Sequence, residues 1–217
     1  MPSVNPIQYD GWWVELNTYW RTTDVDIYYP EQVQIDNMNL VFDYFRAVGW
    51  TPNAIAGMLG NMMVESTVNP WLFQHHSVDW SDPAAILADN GGMGLTQWTP
   101  CRKYYQWALD EGKDPQSGQT MCDRIKYEQD NNLQWSLDNI AHYTWADYVA
   151  ATDSPQYLAR VFVWAYERPA DPDVNQRQRN AQWCFDHIHG SNNLINMLNF
   201  YRQQITRKGV KRRWQRI

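Results

Sequence analysis

The feature that most constrains the fold is a long apolar pattern of helical period, "TPNAIAGMLGNMMVE", which begins at Thr51 and ends at Glu65. Thr51 is a favourable N-cap and Pro52 a favourable first helical residue, so they predict where the helix begins. Apolar residues then recur at intervals of three and four, which predicts a helix with one buried stripe. Because Pro70 disfavours a helical conformation at Asn69, the helix is expected to end shortly after Glu65.

Glu65 is therefore a carboxylate at the C-terminal end of an apolar helix. The helix dipole and an apolar environment both disfavour the ionised form of a buried carboxylate at this end. A carboxylic acid that stays protonated near neutral pH can donate a proton in catalysis. The alternative is a solvated acid at a helix end, and this stretch alone leaves both open.

The rest of the chain predicts a mainly α protein. Residues 66–99 contain proline, histidine, aspartate and a glycine pair, which predict a loop region with a short hairpin. Periodic apolar residues predict the other helices. These are expected at about 32–48, 101–111, 117–130, 134–150, 155–167 and 174–189, with one more after residue 190.

Three parts of the chain differ in composition. Residues 1–31 are rich in aromatic and β-branched residues without a helical period, which predicts an extended N-terminal arm. Residues 32–190 are expected to form the catalytic domain. Residues 191–217 are expected to form a C-terminal helix and a basic tail, which carries seven of the 18 Lys and Arg residues from Arg202 onward and no acid.

Residues 1–201, which precede this run of basic residues, are strongly acidic, with 11 basic and 24 acidic side chains. An acidic body argues against a nucleic-acid enzyme, because phosphate binding relies on clustered Lys and Arg. The N-terminus lacks a basic start and an apolar run, so no signal peptide is expected, and no stretch is long enough for a membrane span. The sparse, odd set of three cysteines is typical of a protein folded in a reducing cytoplasm.

Three motifs carry a resemblance to a known family. They are "AIAGMLGNMMVES" at 54–66, "GGMGLTQWTPCR" at 91–102 and "YERP" at 166–169. The chain resembles the phage tail lysozymes, within the superfamily of goose-type lysozymes and lytic transglycosylases, over about residues 36–189. The resemblance implies a lysozyme-like helical domain with a small loop or β-hairpin region that lines a glycan cleft. It implies cleavage of the β-1,4 bond between the N-acetylated sugars of peptidoglycan.

The resemblance also implies roles for particular residues. Glu65 would be the catalytic acid, and Gln97 would lie on a strand facing it. Trp98 and Thr99 would line the cleft, and the later helix would close the site with the side chains of Tyr166, Glu167 and Arg168. No metal or cofactor is implied. The "AYNAG" motif of lytic transglycosylases is replaced by "AYERP", so hydrolysis is favoured and the transglycosylase reaction is the alternative.

A second carboxylate often assists glycoside cleavage by activating water or bonding the sugar. The sequence offers four candidates and does not choose among them. These are Asp79, Asp82, Asp89 and Glu167.

The expected setting is a phage particle. The resemblance implies a protein that is made in the host cytoplasm, is carried in the virion as a tail or ejected protein, and acts on the bacterial cell wall during genome entry or lysis. Its expected partners are glycan strands and other virion proteins, contacted through the N-terminal arm and the basic tail.

Three rival hypotheses remain at this point. A metal enzyme would have to use His75, His76 and Asp79 or the pair His187 and His189, but neither group has a recognised zinc spacing. A cysteine peptidase is disfavoured because no cysteine lies in a recognisable nucleophile motif. The third is a lysozyme-fold module that binds glycan or plays a structural role without activity.

Overall fold

The computed structural model of the protein describes residues 7–14, 32–75, 78, 80–137 and 142–190. The predicted mainly helical architecture is confirmed, with one small antiparallel hairpin in the described residues, β1 (Ile7–Tyr9) paired with β2 (Trp12–Val14). The helices are α1 (Gln32–Ala47), α2 (Pro52–Glu65), α3 (Pro83–Ala88), α4 (Arg102–Asp110), α5 (Gly118–Asp130), α6 (Trp145–Ala150), α7 (Pro155–Phe162) and α8 (Val174–His187). A π-helical turn, Val163–Glu167, continues α7.

Helix α2 lies at the centre of the domain and begins and ends where the sequence predicts. The Thr51 side chain accepts a hydrogen bond from the Ala54 N–H at 3.2 Å, as an N-cap does. The prediction of one buried stripe was too narrow, because every residue from Ala54 to Met63 is buried. The cause is that α2 packs against α1, α6, α7 and α8 together, so almost no side of it remains for solvent.

Gly60 permits the closest of these contacts. A Cβ atom at this position would lie 2.6 Å from the Arg177 carbonyl oxygen and from the Ala181 nitrogen on α8. Any side chain would therefore separate α2 from α8. This close approach is what brings the side chains of α8 against the end of α2.

The hairpin lies within the predicted N-terminal arm. Within the predicted arm, residues 7–14 fold back on the helical domain, with Trp12 and Val14 only 3% and 1% exposed. The Trp12 ring packs so closely on Gly118 that a Cβ there would lie 2.3 Å from it. This part of the arm belongs to the same core as the helices. The rest of the arm, residues 1–6 and 15–31, and the predicted helix and tail at 191–217 lie outside the described residues.

Two other segments differ from the sequence prediction. The loop region 66–99 contains α3 and an isolated bridge between Phe73 and Met93 in place of a hairpin. The predicted strand at Gln97 is instead a tight turn, in which Gln97 has a φ of 49° and its N–H bonds the Gly94 carbonyl at 3.2 Å. Of the predicted helix 134–150, the described residues are helical only in α6, and residues 138–141 lie outside the described ranges. No helix in the described ranges is long and apolar enough to cross a membrane.

Candidate active site

Glu65 lies at the last position of α2, directly before an unusual turn. Thr67 and Val68 both adopt left-handed conformations, with φ values of 54° and 59°. Such conformations are rare for β-branched residues and persist only where surrounding contacts hold them. Val68 is fully buried, and its carbonyl oxygen accepts a hydrogen bond from the Asn37 side chain at 2.9 Å. The turn that ends the helix after Glu65 is thus held by α1.

The Asn37 side chain also connects this turn to the hairpin. Its amide donates to the Trp13 carbonyl at 2.8 Å, and its Oδ1 accepts from the Trp13 N–H at 2.9 Å. Asn37 is itself only 2% exposed. The N-terminal hairpin, α1 and the turn after Glu65 therefore form one hydrogen-bonded unit.

Ser66 joins the first sequence motif to the second. Its hydroxyl donates to the Leu95 carbonyl in the glycine-rich turn at 2.8 Å. Three residues farther on, the Asn69 side chain accepts from the Trp71 N–H at 3.0 Å, which fixes the Asn-Pro turn. The "ES", "NP" and "GLTQW" segments meet because these side chains bond backbone groups of the loop region.

A buried arginine holds the Glu65 side chain. Arg177 Nη2 donates to Glu65 Oε1 at 2.6 Å, and the two side chains are 2% and 16% exposed. The other guanidinium nitrogens are also bonded, Nε to the Pro172 carbonyl at 2.7 Å and Nη1 to Asn61 Oδ1 at 3.0 Å. The sequence analysis expected an apolar environment for Glu65 and named no basic partner on α8. Arg177 was missed because it lies 112 residues away on α8, with no local motif that marks it.

Glu167 is the second carboxylate of this region. It lies at the end of the π-helical turn, where Arg168 takes a left-handed conformation with a φ of 50°. The Arg168 side chain donates to the Ala165 and Gln134 carbonyls, both at 2.7 Å, and so closes the turn. Its guanidinium is thereby directed to backbone oxygens.

The Glu167 Oε1 atom is buried and has no hydrogen-bond partner among the described residues. Burial raises the pKa of Glu167 well above its usual value, and the nearby charge of Glu65 raises it further. The charges of Arg177 and Arg168 oppose this rise. Glu65 and Glu167 are therefore close enough for the charge of one to affect protonation of the other.

Glu128 on α5 forms a third, fully buried acidic centre that the sequence analysis missed. It accepts hydrogen bonds from Trp98 Nε1 at 3.1 Å, Arg124 Nε at 2.8 Å and the Tyr166 hydroxyl at 2.5 Å. Burial raises its pKa, against the opposing charge of Arg124 and the three hydrogen bonds. The only local signal was an Arg and a Glu four residues apart on one predicted helix.

The predicted cleft residues fall into two groups. Trp98 and Tyr166 are only 3% and 1% exposed, and their polar atoms bond Glu128, so they lie behind the site surface. Gln97 and Thr99 lie at the turn. The Gln97 amide donates to the Leu72 and Gly94 carbonyls at 3.1 and 2.9 Å, whereas Thr99 is exposed and donates to the Gln97 carbonyl.

The loop acids are bound to local structure. Asp82 caps α3 by accepting from the Ala85 N–H at 3.0 Å. Asp89 pairs with His75 at 2.6 Å and accepts from the Gly91 N–H at 3.1 Å. Although burial opposes it, these hydrogen bonds lower the pKa of Asp89. Asp79, the third loop candidate, lies outside the described residues.

The described residues give little support to metal or thiol chemistry. Across the parts of the chain described, no group of three or more His, Cys, Asp or Glu side chains could hold a metal ion. All three cysteines are buried free thiols. Burial and the charge of Asp89 raise the pKa of Cys101 to about 12, and a protonated thiol is a poor nucleophile.

A separate groove lies between α7 and the outer face of α8. Its volume is about 580 Å³, and its lining includes Gln156, Gln178, Gln182 and Trp183. Arg177 faces the opposite side of α8, towards α2. Because neither Glu65 nor Glu167 lines this groove, it is distinct from the site predicted by the motifs.

Comparison with known proteins identifies the family. Residues 36–188 match the family model of the phage tail lysozymes. Morphogenesis protein 1 of Bacillus phage B103 is 38% identical over 154 residues, which covers 71% of this chain and 40% of that protein. The chain thus spans less than half the length of this curated relative. The chain belongs to the phage tail lysozyme family, and it is a phage lysozyme-like protein.

Proposed function

We propose that this phage tail lysozyme is a peptidoglycan glycosidase of the muramidase type, with Glu65 as the general acid. It cleaves the β-1,4 bond between N-acetylated sugars of the bacterial cell wall. The observation that supports this most is the convergence of the three motifs on Glu65. Ser66 bonds the glycine-rich turn directly, and the charge of Glu167 from the third motif interacts with Glu65.

The geometry of Glu65 suits a general acid. Glycoside cleavage requires an acid that protonates the leaving oxygen. The side chain is 16% exposed, so substrate can reach it, and its Oε1 atom is held in a fixed direction by Arg177. The strained turn at Thr67 and Val68 fixes the backbone on its C-terminal side. A preorganised carboxyl group of this kind loses little freedom when substrate binds.

The other predicted residues divide by exposure in this proposal. Thr99 and the partly buried Gln97 line the rim of the cleft and contact the glycan. Trp98 and Tyr166 act from behind, because both donate to Glu128 and so fix the turn and the end of the π-helical segment. Their effect on substrate binding is therefore indirect.

The setting follows from the family and from the name of the relative. We infer that the protein acts as part of the phage particle on the cell wall, during genome entry or lysis. Residues 1–6 and 15–31 of the arm and the basic tail are the proposed contacts with other virion proteins, since the hairpin at 7–14 is already used in the core.

Mass spectrometry of digested cell walls tests the reaction. The wild type is expected to release muropeptides with new reducing ends at one sugar type. Anhydro ends would indicate a transglycosylase, and cleaved peptide crosslinks with intact glycan would refute the glycosidase proposal. Binding to walls without any product would favour the inactive module.

The acid role of Glu65 is tested by Glu65→Gln. General acid catalysis contributes roughly two to four orders of magnitude in rate, so the variant should lose about that factor while it stays folded. Glu111→Gln is the matched control, because Glu111 is an exposed residue at the end of α4. Near-normal wall cleavage by Glu65→Gln would contradict the assignment.

A further inference from the structure

We propose that Glu65 and Glu167 work as a pair that shares one proton beside the Arg177 guanidinium, with Glu167 as the resting holder of that proton. This inference rests on the proposed glycosidase function and extends it. It explains how a carboxylate bound to a buried arginine can still act as an acid.

The first step is the charge of Arg177. A guanidinium stays charged in proteins, and a buried charge requires compensation. Two of its three hydrogen-bond partners, the Pro172 carbonyl and Asn61 Oδ1, are neutral. The third is the Glu65 carboxylate at 2.6 Å. One negative charge on Glu65 therefore balances the charge of Arg177. Apolar surroundings alone, as expected from the sequence, do not determine whether Glu65 is protonated.

The second step is the environment of Glu167. Its Oε1 is buried without a partner in the described part of the chain, which is unfavourable for a carboxylate and acceptable for a protonated carboxyl group. The charged and titratable groups around it come from several elements. They are Glu65 on α2, Arg177 on α8, Glu128 on α5, Tyr148 on α6, and Tyr166 and Arg168 beside it in the chain.

Two cations act on Glu167, and Arg177 has the larger effect. Arg177 is bonded to Glu65, and Arg168 donates to the Ala165 and Gln134 carbonyls. Arg124, the partner of Glu128, is likewise already paired. Arg168 is exposed and also lowers the pKa of Glu167, but less than Arg177 does. Ionising both Glu65 and Glu167 would place two negative charges against the buried guanidinium of Arg177. One retained proton leaves these three groups neutral, and such a proton belongs to the pair rather than to one residue.

The reaction then has a balanced proton path. Glu65 receives the proton from Glu167, directly or through one water molecule, and transfers it to the glycosidic oxygen as the bond to the anomeric carbon breaks. Glu167 is then a carboxylate, and the positive charge of Arg177 stabilises it. Water then adds to the anomeric carbon as a hydroxyl group, and its remaining proton returns to the pair of carboxyl groups.

Carboxyl ¹³C NMR of the full-length protein labelled at glutamate tests the pair without any activity. The Glu167 carboxyl should remain protonated at pH 7 in the wild type. In Glu65→Gln, the loss of the neighbouring negative charge should move the Glu167 midpoint down by about one pH unit or more. An ionised Glu167 at pH 7 in the wild type, or a midpoint unchanged in Glu65→Gln, would overturn the proposal.

The pH profile of wall cleavage gives a second test, in which two variants should shift the alkaline limb in opposite directions. In Glu167→Gln, the pair has lost one of its two carboxyl groups while the Arg177 charge remains, so the alkaline limb should move down by about one unit or more. In Arg177→Met, the pair keeps its proton to higher pH and the limb should move up. If Arg177→Met does not fold, Arg177→Lys, which keeps the charge, should retain the wild-type limb.

Glu111→Gln is the control for both measurements. Limbs that move in the same direction in Glu167→Gln and Arg177→Met would refute the shared proton. Absence of wall cleavage in every variant and in the wild type would refute the glycosidase function instead, and the NMR titration would still decide on the pair.

Discussion

The turn after Glu65 is expected to depend on Asn37, and Asn37→Ala is the perturbation that tests this. The Asn37 side chain makes three hydrogen bonds to backbone groups, two to Trp13 and one to Val68. Alanine removes all three and leaves the partner groups unsatisfied in a largely buried region. The variant should therefore loosen both the hairpin and the left-handed turn.

The magnitude follows from the number and burial of these bonds. Each contributes about 1 kcal/mol net, and a buried group left unpaired costs more, so a loss of about 3 kcal/mol is expected. For a domain of this size, 1 kcal/mol corresponds to about 2–4 °C in Tm, so Tm should fall by about 6–12 °C. Thermal unfolding followed by circular dichroism measures this shift.

The site should respond as well as the stability. When Val68 loses its partner, the strained turn can relax and move Glu65, so kcat for wall cleavage should fall at a temperature where the variant is folded. Asn131→Ala is the control, because Asn131 is exposed and its side chain, among the described residues, bonds only the Tyr127 carbonyl. Its Tm should change little. A fall in Tm of less than about 2 °C for Asn37→Ala would refute the reasoning.

Two further predictions concern other parts of the site. In Gly60→Ala, the new methyl group should push α8 and Arg177 away from α2. The free energy of unfolding in urea should fall by about 1–3 kcal/mol, and wall cleavage should fall roughly 10- to 100-fold. Unchanged stability would show that the helices can separate freely. The lowered pKa of Asp89 means that its contribution to stability is complete above the ordinary aspartate pKa of about 4 and is lost as pH falls through the lowered value. The wild type should therefore lose Tm in acid more steeply than Asp89→Asn, and equal slopes would contradict the role of the bond from Asp89 to His75.

The sequence by itself determined the helix that carries Glu65. Thr51, Pro52 and the Asn-Pro step act on neighbouring backbone groups, so their effect can be predicted without knowing the fold. The same holds for the location of the three motifs, which identify the family. They nominate Glu65 as the catalytic acid, whereas the second carboxylate stayed open among Asp79, Asp82, Asp89 and Glu167. The strand expected at Gln97 was wrong because the left-handed turn depends on carbonyls of residues 72 and 94 that its amide reaches.

Only the tertiary structure decided the electrostatics of the site and the place of the hairpin. Arg177 reaches Glu65 because α8 packs closely on Gly60, and Glu128 collects Trp98 and Tyr166 from two other segments. The burial of Trp12 likewise depends on the open surface of Gly118. Burial and charge pairing are properties of residues that are distant in the chain, since desolvation and Coulomb interactions act through space. Local sequence patterns contain no such distances.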